Sequence, residues 1–226
     1  MTSIAAATRF APPRRIPVIG IVGGIGSGKS AIANWIAERA RVSLLDADAL
    51  GHEALQSPEV KAALCERFGD AIFGADGDVV RPALAREVFG SEASHLEARR
   101  DLENIVHPEI GRRIVEGVAS AKAQNRDAVL LDAAILLEAG WRDKCDLVVF
   151  IDTPDKIRLA RVREHRGWTE SELRRRESSQ WSLAEKRREA DLIVSNDGNL
   201  EHAGKQLLES LQRCGLINGV SLLKNE

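Results

Sequence analysis

The chain has 226 residues, 44% hydrophobic and 29% charged, with 32 Lys and Arg against 34 Asp and Glu for a net charge of −2. That balance excludes a disordered chain, and it lacks the basic excess on which duplex binding draws, so nucleic acid is not an expected partner. No apolar run approaches the ~20 residues of a membrane span, and Cys65, Cys145 and Cys214 are too few and scattered for a disulfide framework or a zinc site. A soluble domain in the reducing cytoplasm, with no membrane partner, is expected.

Residues 1–15, MTSIAAATRFAPPRR, are small, proline-containing and basic, and read as a flexible N-terminal arm. IPVIGIVG (16–23) then opens a series of five short Val, Ile and Leu runs with the look of buried parallel strands. The others are VSLLDA (42–47), AVLLDAA (128–134), DLVVFID (146–152) and DLIVSN (191–196). Helical patterns separate them, such as KSAIANWIAERA after the first and AGKQLLESLQRC after the last. Strands alternating with helices mean an α/β fold whose parallel sheet is covered on both faces.

Directly after the first run comes GGIGSGKS (23–30), which fits G-x-x-x-x-G-K-[ST] through Gly23, Gly28, Lys29 and Ser30. Glycines let backbone N–H groups curl inward as an anion nest, and the following helix adds positive partial charge at its start. Gly24, Ile25, Gly26, Ser27, Gly28, Lys29, Ser30 and Ala31 are therefore the expected ATP-binding residues. Lys29 can reach the β- and γ-phosphates, and Ser30 can offer its hydroxyl to Mg²⁺. The N-K-x-D element by which GTPases read guanine is absent; Asp48-Ala-Leu-Gly51 fits their D-x-x-G, a short pattern.

The second run ends in Asp46-Ala47-Asp48. If the chain stays extended, period-two alternation puts both carboxylates on one side of the strand, at the end that faces the phosphate loop. One could take the proton of an attacking hydroxyl while both help order Mg²⁺; the alternative is a helix cap for ALGHEAL. From residue 50 to 125 the sequence is mainly helical: HEALQSPEVKAALCERF, RPALAREVF, then SHLEARRDLENIVHPEIGRRIVEGVASAKAQ. This is expected to be an insertion walling the acceptor site. Taken alone, His107 reads as a helix-terminal or core histidine and Pro108 as a first-turn proline. Asp132, within the third run AVLLDAA, could serve as the strand-end acid of a regulatory ATPase.

From Val18 to Gly198 these pieces together resemble the dephospho-CoA kinase family: GGIGSGKS, LLDAD, DGDVVRPALAREVF, LENIVHPEI, the arginine stretch with Gln180, EKRREADLIVSN and Gly198. The resemblance implies a P-loop kinase with a five-stranded parallel sheet flanked by helices. Its core would span 16–49 and 126–226, with a lid at about 158–185 and a helical CoA-binding insertion at 50–125. The implied activity is phosphorylation of the ribose 3′-hydroxyl of dephospho-CoA, with ATP as co-substrate and Mg²⁺ as cofactor, in a monomer or weak homo-oligomer. Asp48 falls on the family's general base; Asp46 supports Mg²⁺ or the strand end. Arg81, His107 and Glu138 fall on the acceptor side, and Asn196 on the adenine pocket.

Two departures stand out. Ala134-Ile-Leu-Leu-Glu138 replaces the proline-led PLLFE of many members. In RVREHRGWTESELRRRESSQ (161–180), His165 stands where the family has its second lid arginine, four residues after Arg161. Either Arg166 takes that role or Arg161 and Arg163 carry the charge; Arg161 and Arg166 are taken, with Lys29, as catalytic. Thr169 with Glu172 reads as a fresh helix start, and Arg174 to Arg176 as a solvated face laced with Glu172 and Glu177. Two rival readings remain: a kinase of another small hydroxyl such as a nucleoside, and a regulatory ATPase.

Overall fold

Each apolar run contains a strand: β1 Val18–Gly23, β2 Val42–Asp46, β3 Ala128–Asp132, β4 Leu147–Asp152 and β5 Leu192–Ser195. All pair in parallel, in the order β2-β3-β1-β4-β5. β1 and β3 are buried at every position, which is why their sequences show no polar alternation. The computed structural model describes residues 15–90 and 92–218. Of the expected N-terminal arm, only Arg15 lies among them, donating to Asp146 at 2.8 Å.

Ile19 and Ile21 of β1 pack into a core with Ile32, Trp35 and Ile36 of α1 (Lys29–Ala37) and Leu207 and Leu211 of α9 (Leu200–Arg213). Each fully buried aliphatic side chain contributes about 1.5–3 kcal/mol. On the opposite side of β1, Leu136 and Cys145 close against Gly20. Burial pushes the Cys145 thiol up to about 11, so it is an inert core residue. The order places β1 between β3 and β4, so its carboxyl end opens at the switch point where such sheets hold ligands.

The chain divides into two units, the sheet unit through Asp46 and from Gly117 onward, and a second unit Ala47–Glu116. The second contains α2 (Ala47–Ala54), α3 (Pro58–Phe68), a 3-10 turn at Asp70–Ile72, α4 (Arg81–Val88) and most of α5 (Ala93–Ala123). Val60, Leu64, Ile72, Leu84, Ile110 and Ile114 are among its buried residues.

Three expectations are corrected here. HEALQSPEVKAALCERF is two helices, because Ser57, extended at ψ 132°, precedes a proline that begins α3. Pro108 lies inside the 31-residue α5, not in a first turn. Asp48 does not continue β2: the chain turns helical at Ala47, so Asp46 ends the strand and Asp48 occupies the first turn of α2. The two carboxylates therefore do not share one strand face. Among the described residues no helix is long and apolar enough to cross a membrane.

Candidate active site

Between β1 and α1 the loop Gly24–Gly28 is shaped by its glycines. Gly28 is left-handed, with φ 86° and ψ 18°, and caps α1 with no side chain; no acid stands in the first turn. The opening N–H groups of α1 thus keep their positive end unopposed, an anion site by construction. A Cβ on Gly28 would lie 2.7 Å from Asn196 Nδ2 and 3.1 Å from Arg161 Nη1, so glycine is required by space as well as by φ.

The loop's carbonyls are held from the other side. Ser27 O accepts from Asn196 Nδ2 at 2.7 Å, Thr153 Oγ1 at 2.9 Å and Arg161 Nη1 at 3.1 Å. Gly26 O accepts from Arg161 Nη1 at 3.3 Å, and Ile25 O from Arg158 Nη1 at 3.2 Å. In a trans peptide the carbonyl and the next N–H point apart, so these tethers turn the N–H groups of Gly26 and Gly28 the opposite way. Lys29 lies over the loop, Nζ 3.5 Å from Gly24 O. Ser30 and Ala31 follow on the exposed first turn of α1.

Arg161 and Asn196 are thus engaged with the loop backbone and, at 3.4 Å, with each other. Thr153 and Arg158 share that work and were not singled out from sequence. The available signal was spacing: Arg158 is three residues before Arg161, on the same helix face.

At the carboxyl edge of the sheet Asp46 stands in register with Asp132 of β3, and Asp132 with Ile21 of β1. The strand-end acid considered for the ATPase reading therefore lies in the strand beside the phosphate loop. Asp46 and Asp48 are both exposed, and Arg81 is the exposed first residue of α4.

The arginine stretch forms α6 (Asp155–Arg166) and α7 (Glu170–Glu177), with α8 (Leu183–Arg188) after it. Thr169 caps α7, its Oγ1 accepting from Glu172 N at 3.2 Å, as the sequence predicted. Arg174, Arg175 and Arg176 meet carboxylates. Arg174 pairs with Asp155, Glu170 and Glu177, while Arg175 and Arg176 both pair with Glu172. Hydrogen bonds from Arg174, with the charge of Arg158, hold Asp155 below the ordinary carboxylate range. Arg166 instead stacks on Trp168, 4.8 Å from the ring centroid, with Arg176 on the same ring at 4.2 Å.

Glu138 has partners the sequence did not reveal. Its Oε1 accepts from Trp181 N at 2.8 Å and meets Lys186 Nζ at 2.9 Å. Lys186, 1% exposed, also donates to Ala134 O at 2.8 Å and Gln180 Oε1 at 3.0 Å. One buried ammonium thus joins the turn after β3 to the α7–α8 connection and to α8.

His107 lies within α5, where burial lowers its pKa from 6.5 against the opposing charge of Glu103. A lowered folded-state value means the unfolded chain takes up the proton first. Stability is therefore full above the unfolded value and falls as the pH drops from about 6.5. His107→Gln is expected to flatten the loss of thermal stability between about pH 6.5 and 5. An unchanged pH slope in thermal melts would contradict this assignment.

Comparison with known proteins bears on what this arrangement serves. The family model CoaE, dephospho-CoA kinase, matches residues 17–202. The dephospho-CoA kinase of Rhodopirellula baltica is 37% identical over 212 residues, 93% of this chain and 96% of that protein. The solved structure of TT1252 from Thermus thermophilus, 32% identical, superposes with a TM-score of 0.72 over 88% of this chain and 99% of the other. Dephospho-CoA kinase from Campylobacter jejuni, 21% identical, shares the fold at a TM-score of 0.57 over 87% and 96% of the two chains. The phosphate loop, the five-stranded parallel sheet and a match across four-fifths of the sequence have one conclusion: the chain belongs to the dephospho-CoA kinase family.

Proposed function

We propose that this chain transfers the γ-phosphoryl group of ATP to the ribose 3′-hydroxyl of dephospho-CoA, giving coenzyme A and ADP. The match of residues 17–202 to the family carries this reading, since it spans the acceptor-side segments as well as the phosphate loop. Kinase action on another small hydroxyl and a regulatory ATPase role account for the loop but not for that full span.

In this reading the inward N–H groups of the loop and Lys29 bind the β- and γ-phosphates. Asp48 takes the proton of the 3′-hydroxyl as its oxygen bonds to the γ-phosphorus and the bond to the ADP oxygen breaks. Asn196 and Arg161 keep the loop in shape beside the adenine side, and Arg81 and His107 serve the acceptor, while Glu138, its carboxylate held by Lys186 and Trp181, braces the turn after β3. Arg166 is the lid arginine: among the described residues it has no carboxylate partner, and it lies one turn past Val162, whose Cγ1 approaches Gly26. Arg163 falls on another side of α6, five residues from loop-bound Arg158.

Mg²⁺ favours one or two carboxylates plus phosphate oxygens over an all-protein cage. Among the described residues no group of three His, Cys, Asp or Glu could form such a cage, and Asp46 and Asp132 end adjacent strands in register. With Ser30 they supply the hard oxygen donors that suit Mg²⁺, which when bound would neutralise charge on the phosphates. The cytoplasm is the proposed site of action, for a monomer or weak homo-oligomer that needs neither nucleic acid nor membrane. The near-neutral net charge supports the absence of a nucleic-acid partner.

A coupled ADP-release assay tests this. ADP should appear with dephospho-CoA and not with a panel of nucleosides and sugars. Release without any acceptor would favour the ATPase reading. In the same assay Arg166→Ala should lower kcat about 100-fold, the scale of one lost transition-state donor, while Arg163→Ala stays within about twofold.

A further inference from the structure

We infer that Arg158 is a positioning residue that couples helix α7 to the phosphate loop, so that the grip on ATP depends on α7 being seated. The inference rests on the reading of this loop as the ATP site. Arg158 is 2% exposed, and its Nη1 bonds both Ile25 O, at 3.2 Å, and the Glu177 carboxylate of α7. Its Nη2 bonds Asp155 Oδ1 at 2.6 Å. Arg174 closes a ring, meeting Asp155 Oδ1 at 2.9 Å and Glu177 Oε2 at 3.0 Å. Two arginines and two carboxylates thus alternate between α6 and α7, and Arg158 is the member that reaches into the loop.

Two observations make this more than helix-to-helix packing. The Arg158 Nε is buried with no hydrogen-bond partner among the described residues, so the guanidinium forgoes one bond to keep its other two nitrogens where they are. Beside it lies a cavity of about 130 Å³ lined by Gly24, Thr153, Arg158 and Leu183 among others. The loop thus borders open space at Gly24, and the adjoining Ile25 carbonyl is held by the Arg158 guanidinium. A buried guanidinium must stay paired. If α7 lifts away with Glu177, Arg158 loses its best-buried carboxylate and has to re-pair, and the Ile25 carbonyl turns with it. The N–H of Gly26, on the far side of that peptide, then leaves the phosphate.

Calorimetric titration of the purified full chain with Mg²⁺ and ATP tests the coupling, with thermal melts alongside. Arg158→Lys keeps the charge but cannot fork across three acceptors; Glu177→Gln keeps shape and folding while removing the charge. Each should raise the Kd for ATP about 5- to 20-fold with the KM for dephospho-CoA within about twofold, and the double variant should be no weaker than the worse single one. Variants that bind ATP like the parent while melting earlier would show a structural ion pair and overturn the coupling. Additive losses in the double variant would overturn it too. A parent that fails to bind ATP overturns the reading of the site beneath it, and the inference with it.

Discussion

Asp48→Asn lowers kcat by about 10²–10⁴-fold, the usual worth of a positioned general base, while ATP binding stays within about threefold of the parent. The amide keeps the shape of the side chain and can still accept a hydrogen bond from the ribose hydroxyl, but it cannot take the proton. Asp48 sits in the first turn of α2, two residues beyond the end of β2, and its side chain is exposed. Steady-state kinetics with a separate ATP titration check both halves of the expectation. Parent-like turnover would remove Asp48 from the base role, and a matching collapse of ATP affinity would make it a folding or nucleotide-binding residue instead.

Lys186→Met destabilises the fold by about 3–5 kcal/mol, the scale of a buried ion pair broken from one side. Lys186 is among the largest fully buried side chains of the chain, and all its partners lie on other segments: Ala134 O, Gln180 Oε1 and Glu138 Oε1. Without the ammonium, the Glu138 carboxylate keeps only the Trp181 N–H, while its Oε2 is already buried with no partner among the described residues. Adding Glu138→Leu to Lys186→Met should restore part of the loss, because an apolar pair demands no charge compensation. Urea denaturation followed by circular dichroism measures both variants. A loss under about 1 kcal/mol for the single variant would mean that the pair is solvated enough to be dispensable.

What could be read from the sequence was what is encoded locally. The phosphate loop announces itself because a strand, a glycine-rich turn and a helix must be contiguous, and Gly28 is confirmed in the left-handed cap that the pattern demands. The five strands were legible because burial on both faces leaves continuous apolar runs, and Thr169 with Glu172 marked a helix start through a three-residue spacing. What escaped depends on long-range partners. Nothing near Lys186 says that it will be buried against Glu138, 48 residues earlier, and the six arginines between residues 161 and 176 do not disclose which ones meet carboxylates. Asn196 was placed at the nucleotide by resemblance, but its bond to Ser27 O exists only because β5 brings the two segments together. At Asp48 a strand and a helix start competed locally: LDADA alternates well enough for a strand, yet Ala47, Ala49, Leu50, Glu53 and Ala54 favour a helix, and the chain turns helical as soon as β2 loses its pairing with β3 at Asp132.

The most direct test of the account is the chemical identity of the product. Incubated with ATP, Mg²⁺ and dephospho-CoA, the protein should form one coenzyme A per ADP. Proton–phosphorus correlation NMR should place the new phosphate on the ribose 3′-oxygen. A phosphate on another hydroxyl, or ADP formed without any phosphorylated acceptor, would contradict it.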